Sequence, residues 1–269
     1  SFMKYKLICS DIDGTLLNKE RELSKFTISE VQRISPMPFI LISSRMPKAM
    51  RHLQQHLGNS HAPIIAYNGG LILHNNTTLH STVINNSVLE FILESCIDTS
   101  IHISLYHNDD WFVPSLDSWA TREINNTKVN PEIKSNHDVL KAWKLKGIGA
   151  HKIMCMGDEN DIDLLYKTLE KEHADDIILY RSKSTYIEIS HKAISKKTAI
   201  ELLLKQCYPH ISMDEVLAFG DNYNDIEMLK SVGLGIAVGN ANETVLKIAN
   251  KITDTNINDG VATVISELF

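Results

Sequence analysis

The chain has 269 residues, enough for one large domain or two small ones around a sizeable core. A formal net charge of −6, with Lys and Arg scattered along the chain, excludes a basic surface built for nucleic acid or for anionic membrane. No apolar stretch approaches the ~18 residues of a membrane helix, and the N-terminus shows no signal peptide. Four cysteines without a CxxC pair fit a reducing compartment, so the expectation is a cytoplasmic protein. Ser1 and Phe2, ahead of Met3, are left out of the reading.

Residues 5–10 are a short apolar run closed by Asp11, and residues 24–34 carry a helical pattern. Phe39–Ile42 is a second unbroken run, closed by Ser43. Residues 47–57 read as a helix whose Pro47 suits its first turn. Residues 64–67 run into Asn68-Gly69-Gly70. The texture then changes. Residues 83–188 are rich in Asn, His and Ser and hold all three Trp residues. Strand-like runs (101–106, 111–113, Lys152–Met156) alternate there with helical patterns at 88–96 and 162–172, which predicts an inserted α+β domain. Further on, residues 195–207 read as a helix and 216–219 as a strand running into Gly220-Asp221. A helix at 225–231 and a strand at 234–238, closed by Gly239-Asn240, follow. Apolar runs stopped by small or polar residues read as buried parallel strands. Their alternation with helices predicts a doubly wound α/β domain formed by residues 1–82 and 189–269. Ligands of such sheets bind beyond the carboxyl ends of the strands, so the residues that close the runs can converge.

Those closing residues carry chemistry. Asp11-Ile12-Asp13-Gly14-Thr15 puts two carboxylates two residues apart at a strand exit, one able to attack phosphorus while the other handles protons. An Asp-Gly turn with Asp13 as a cap is the plainer reading of the same residues. Gly220-Asp221-Asn222-Tyr223-Asn224-Asp225 adds two carboxylates and two amides, of which a helix cap explains only one. Oxygen donors of this kind suit magnesium. Ser43-Ser44-Arg45 combines a hydroxyl with N–H groups ahead of a helix, either a phosphate cradle or a simple Ser cap. Arg45 reads as a structural or rim residue. Lys196, in the first turn of a helix, opposes the helix dipole unless an anion, phosphate or carboxylate, lies beside it. His52 and His56 stand at i, i+4 but lack an evident third metal ligand. Packing accounts for Trp111, Trp119 and Trp143, with a sugar-stacking face as the alternative.

Taken together, these segments resemble the haloacid dehalogenase superfamily of phosphohydrolases, in its Cof-type subclass. Asp11-Ile12-Asp13-Gly14-Thr15 is similar to the signature motif, Ile42-Ser43-Ser44-Arg45 to the second, Ile194-Ser195-Lys196 to the third and 220–229 to the fourth. Tyr67-Asn68-Gly69-Gly70, Val238-Gly239-Asn240-Ala241 and Asn258-Asp259-Gly260-Val261 resemble further landmarks of the subclass. Two positions depart from the pattern: Ser43-Ser44 replaces the usual Thr-Gly, and Lys197 stands where Gly is common. The resemblance implies a catalytic core at 1–82 and 189–269 and an inserted cap at 83–188 that closes over the site and selects the substrate. It implies Asp11 as nucleophile and Asp13 as general acid and base. Magnesium would be held by Asp11, the Asp13 carbonyl and Asp221, with Asp225 orienting. Phosphate would be bound by Ser43, Lys196, Asn224 and backbone N–H groups, Ile12 and Ser44 among the binding residues. The expected substrate is a small phosphate monoester, sugar phosphates first, handled by a monomer or small homo-oligomer with no nucleic-acid or membrane partner. A phosphatase of pyridoxal phosphate or flavin mononucleotide, and a non-catalytic phosphosugar sensor, are the rival readings.

Overall fold

The apolar run before Asp11 forms the strand Leu7–Ser10, buried along its whole length. In the computed structural model, which describes residues 4–269, this strand lies in the interior of an eight-stranded sheet. Ser1 and Phe2 lie outside the described residues. Across the sheet the order is Lys251–Ile252, Leu234–Ala237, Val216–Gly220, Leu7–Ser10, Phe39–Ile42, Ile64–Ala66, Leu71–His74 and Thr77–Ser81. The first six are parallel. Leu71–His74 turns back antiparallel to Ile64–Ala66. Tyr67, expected to end its strand, instead opens a tight turn with φ of 51°.

Alternation along the strands sends side chains to both faces. Leu7, Cys9, Ile40 and Ile42 pack with Ala199, Ile200, Leu203 and Leu204 of the helix Lys196–Cys207. Ile8 and Leu41, pointing the other way, are equally buried. Each such side chain contributes roughly 1.5–3 kcal/mol by leaving water. Sheet and flanking helices make the expected doubly wound α/β unit. It comprises the described residues up to His80 together with Ser195–Phe269.

Ser81–Ile194 forms a second unit. Its six-stranded sheet runs Ile177–Lys183, Tyr186–His191, Lys152–Met156, His102–His107, Asp110–Val113 and Glu132–Ile133. All pairs are antiparallel except the last. Ile103, Leu105, Ile153, Cys155, Ile187 and Ile189 meet the apolar stripes of the helices Asn86–Ser95, Asn136–Lys146 and Glu159–His173. Trp143 is part of this core, and Trp111 stacks on Tyr106 with ring centroids 5.6 Å apart. A buried polar chain crosses the other strand positions. Trp111 Nε1 donates to Ser104 Oγ at 3.1 Å, Ser104 Oγ meets His102 Nε2 at 2.7 Å, and His102 Nδ1 meets Asp117 Oδ2 at 2.8 Å. Ser104 is wholly enclosed, so this Ser-His-Asp series is a packing device. Among the described residues no helix is long and apolar enough to cross a membrane.

Candidate active site

Past its strand the chain bends at Asp11, whose N–H donates to the Phe219 carbonyl at 3.1 Å. Ile12–Leu16 closes into one wide turn, Leu17 N–H donating to the Ile12 carbonyl. Gly14 sits there at φ of +76°, and a Cβ on it would lie 2.5 Å from Asp221 Oδ2. Glycine is thus required both by the backbone and by the approach of the second acid loop. The Thr15 hydroxyl lies between the two acids, 2.8 Å from Asp221 Oδ1 and 3.3 Å from Asp11 Oδ2.

Ser195 caps the third motif's helix, accepting from Thr198 N–H at 3.1 Å, and so fixes where Lys196 enters the site. The Lys196 ammonium is buried and donates to Asp11 Oδ1 at 2.9 Å, Asp225 Oδ1 at 2.7 Å and the Ile42 carbonyl at 3.3 Å. Its three protons are thereby matched to three acceptors. The anions that balance a lysine in the first helical turn are these two carboxylates. Burial pulls the Lys196 pKa down, but the Asp11 and Asp225 charges outweigh it and raise it. Lys197 is exposed.

Asp225, also fully buried, uses its second oxygen to accept from the N–H groups of Asp221 at 2.9 Å and Asn222 at 3.1 Å. It therefore shapes the loop that presents Asp221. Burial, then the Asp11 charge, push the Asp225 carboxyl up to about 6 against the pull of Lys196. Burial and the Asp11 charge likewise hold Asp221 well above the usual carboxylate range. Asp11, Asp221 and Asp225 each offer an oxygen, all within 4.8 Å of one another. Three carboxylates against one ammonium, all hard oxygen donors, fit a divalent cation such as magnesium.

The remaining expected residues fall around this cluster. Ile12 is buried within the turn, and Ser44 is half-buried beside Ser43. Ser43 N–H donates to the Ile65 carbonyl at 3.0 Å, and its Oγ accepts from Arg45 N–H at 3.0 Å. Asn224 reaches Ser43 through Asn68: Asn224 Nδ2 donates to Asn68 Oδ1 at 3.0 Å, and Asn68 N–H to the Ser43 carbonyl at 2.8 Å. The Asp13 carboxylate is not among these three clustered acids; it is gripped by Arg45 through Nε at 2.8 Å and Nη2 at 2.7 Å.

Several contributors were not singled out from the sequence. Thr15 bridges two acids, and Arg45, read as a structural or rim residue, is buried, which favours the structural reading. Asn240 donates to the Gly14 carbonyl at 2.8 Å and accepts from Asn256 N–H, while Asn256 Nδ2 donates to the Leu17 carbonyl at 2.9 Å. Asn242 N–H donates to the Asp221 carbonyl at 3.1 Å. These amides tie the two acid loops together. Of the three, only Asn240 lies in a segment with a sequence signal, the Gly239-Asn240-Ala241 landmark.

The family model of haloacid dehalogenase-like hydrolases matches residues 8–265. A putative phosphatase of Haemophilus influenzae is 31% identical, with 99% of each chain covered. A 5-amino-6-(5-phospho-D-ribitylamino)uracil phosphatase of Bacillus subtilis is 30% identical over 96% of this chain and 93% of its own. The crystal structure of a haloacid dehalogenase-like hydrolase from Bacteroides thetaiotaomicron superposes with a TM-score of 0.87 at 29% identity, covering 98% of this chain and all of that one. With near-complete coverage by family model, relative and fold, the chain belongs to the haloacid dehalogenase-like hydrolases, as a phosphoric monoester hydrolase.

Proposed function

We propose that this enzyme is a magnesium-dependent phosphatase of small phosphate monoesters, sugar phosphates first, that works through an aspartyl phosphate on Asp11. The observation that carries the reading is the Asp11 carboxylate, fixed by Lys196 at 2.9 Å beside Asp221 in a cluster of excess negative charge. Asp11 and Asp221, with the Asp13 carbonyl, would hold magnesium, and Asp225 would orient Asp221. Bound there, the ion would offset the charge of these carboxylates and of the phosphoryl oxygens. An Asp11 oxygen attacks phosphorus as the ester P–O bond breaks, and Asp13 supplies the proton to the departing alkoxide. Water then attacks phosphorus, its proton passes to Asp13, and the P–O bond to Asp11 breaks, returning that electron pair to the carboxylate. Ser43, Asn224 and the N–H groups of Ile12 and Ser44 would hold phosphoryl oxygens. Lys196 would join them by exchanging its longest bond, that to the Ile42 carbonyl.

In this reading the eight-stranded unit performs the chemistry and residues 81–194 choose the leaving group. The Bacillus relative is named for a phosphorylated ribityl chain, a polyol phosphate, which supports the same substrate class. A cytoplasmic location accords with metabolite phosphates as substrates. The test is phosphate release from a panel of sugar phosphates, pyridoxal phosphate, flavin mononucleotide and para-nitrophenyl phosphate, with magnesium and with chelator. Sugar phosphates should rank first, and chelator should stop release. Release from none of them with magnesium present would favour a phosphosugar sensor.

A further inference from the structure

The Arg45–Asp13 pair has a geometry that a rim residue does not need. Arg45 is 4% exposed. Its guanidinium meets Asp13 side by side, Nε to Oδ2 at 2.8 Å and Nη2 to Oδ1 at 2.7 Å, while Nη1 donates to the Ala49 carbonyl at 2.9 Å. The arginine backbone is pinned as well: its N–H donates to Ser43 Oγ at 3.0 Å, and its carbonyl accepts from Tyr67 N–H at 3.1 Å. Asp13, by contrast, stands on an open turn with a side chain 36% exposed. Arg21 Nη1 approaches the same carboxylate at 3.4 Å from a side chain that is 40% exposed. The buried, multiply anchored partner is therefore the one that fixes where the carboxylate sits.

We propose that Arg45 is a positioning residue for Asp13 and serves the second, water-consuming half of the reaction. The inference rests on the two-step reading above. A side-by-side fork of two N–H donors, one on each oxygen, fixes both the place and the plane of the carboxylate. That fixed placement is what the second half-reaction needs, because a water must meet the carboxylate and phosphorus at once. In the second half-reaction water oxygen bonds to phosphorus, the bond from phosphorus to the Asp11 oxygen breaks and returns its electron pair to Asp11, and the water proton moves to Asp13. In the first half a good leaving group departs without a proton, so an arylphosphate can phosphorylate Asp11 without help from the pair. Loss of Arg45 should therefore slow dephosphorylation selectively.

The experiment is rapid-mixing kinetics of Arg45→Gln and Arg45→Lys with para-nitrophenyl phosphate, alongside acid quench and hydroxylamine release of enzyme-bound phosphate. Arg45→Lys keeps the positive charge and guards against a variant that fails to fold, but it removes the fork. Steady-state kcat should fall about 10²-fold in Arg45→Gln, the lower range for a general base. It should fall less in Arg45→Lys. Both variants should show a burst of nitrophenol close to the enzyme concentration and a build-up of hydroxylamine-sensitive phosphoenzyme. A loss spread equally over burst and steady state, with no phosphoenzyme accumulating, would mark Arg45 as merely structural and overturn the proposal. So would kcat within about twofold of wild type. Asp11→Asn separates the two readings: if it still turns over, the two-step mechanism itself is wrong. If it is inert while the Arg45 variants show no burst, only the role given to Arg45 fails.

Discussion

Replacing Lys196 by Met tests how the acid cluster is held together. The side chain is fully buried and makes two charge-assisted bonds, to Asp11 at 2.9 Å and Asp225 at 2.7 Å. Methionine fills similar space but removes the one ammonium bonded to both acids. Breaking a buried ion pair from one side costs about 3–5 kcal/mol, because the partner charge is left without compensation. At 2–4 °C per kcal/mol for a domain of this size, the metal-free variant should melt on the order of 10 °C lower than wild type at neutral pH. The penalty should shrink as pH falls, since Asp225, already pushed up to about 6 with Lys196 present, takes up a proton more readily without it. Adding Asp225→Asn should recover at least half the loss, because an amide still accepts from the Asp221 and Asn222 N–H groups that Asp225 now serves. Thermal melts of the chelated proteins give the shift in melting point, and urea titrations at several pH values give the penalty, its pH dependence and its recovery. The reasoning is refuted if Lys196→Met lies within about 1 kcal/mol of wild type, or if the double variant is no more stable than the single.

The other predictions concern the same turn and its charges. Asp11→Asn should keep the fold and lose at least about 10⁴-fold in turnover, measured by phosphate release with reversion by deamidation excluded by mass. Gly14→Ala should lose about 2–3 kcal/mol, from roughly 1–2 kcal/mol of left-handed strain and the loss of the Thr15–Asp221 bond. It should also weaken magnesium binding by displacing Asp221, as isothermal titration would show. In metal-free protein Asp225 has a raised folded pKa, so its contribution to stability is present below about pH 4 and is lost as pH rises through about 6. Melting curves should therefore show a larger rise on adding magnesium at about pH 7.5 than at about pH 5, and an equal rise at both would contradict the charge assignment. Burial, then the neighbouring His107, push His151 down to about 3. Its contribution is thus fully present above about pH 6.5 and is lost as pH falls from there toward about 3, and His151→Gln should flatten this acid limb of the stability curve.

What the sequence made legible was whatever is encoded by neighbours along the chain. Phe39–Ile42 and Lys152–Met156 match the read strands residue for residue, because unbroken apolar runs bounded by polar residues have few other uses. Ser24 and Ser195 cap the helices they were read into, each accepting from an N–H three residues on. Asp11, Lys196 and Asp221 were visible because each sits where an element starts or stops. The hairpin strands Leu71–His74 and Thr77–Ser81 were missed because Thr77–Ser81 is exposed and polar. Their clue was Asn75-Asn76, two left-handed residues at φ of 50° and 63° suited to a two-residue turn. The helix Ser118–Thr127 buries only Ala120 and Glu123, so it lacks an apolar stripe to read. The Arg45–Asp13 fork spans 32 positions, and the Asn256 tether to Leu17 spans 239. No local pattern announces either, because the partner is chosen by the way the strand ends meet.

The charges around the site are divided so that each acid has a distinct status. Asp13 has Arg45. Asp11 and Asp225 share Lys196, which also joins the first motif to the fourth. Among the described residues no cationic side chain is hydrogen-bonded to Asp221, which accepts instead from the neutral Thr15 hydroxyl at 2.8 Å. It is also the acid that Gly14 admits to close range and that burial and Asp11 push well above the carboxylate range. Were the cluster built for stability alone, a second lysine or a neutral amide in place of Asp221 would relieve that repulsion. A carboxylate kept near another without a cation of its own is an unfavourable arrangement for the metal-free protein and a favourable one once an ion binds. The same residue would thus link the repulsion within the acid cluster to its affinity for an ion, which favours Asp221 over Asp225 as the acid proposed to hold the metal.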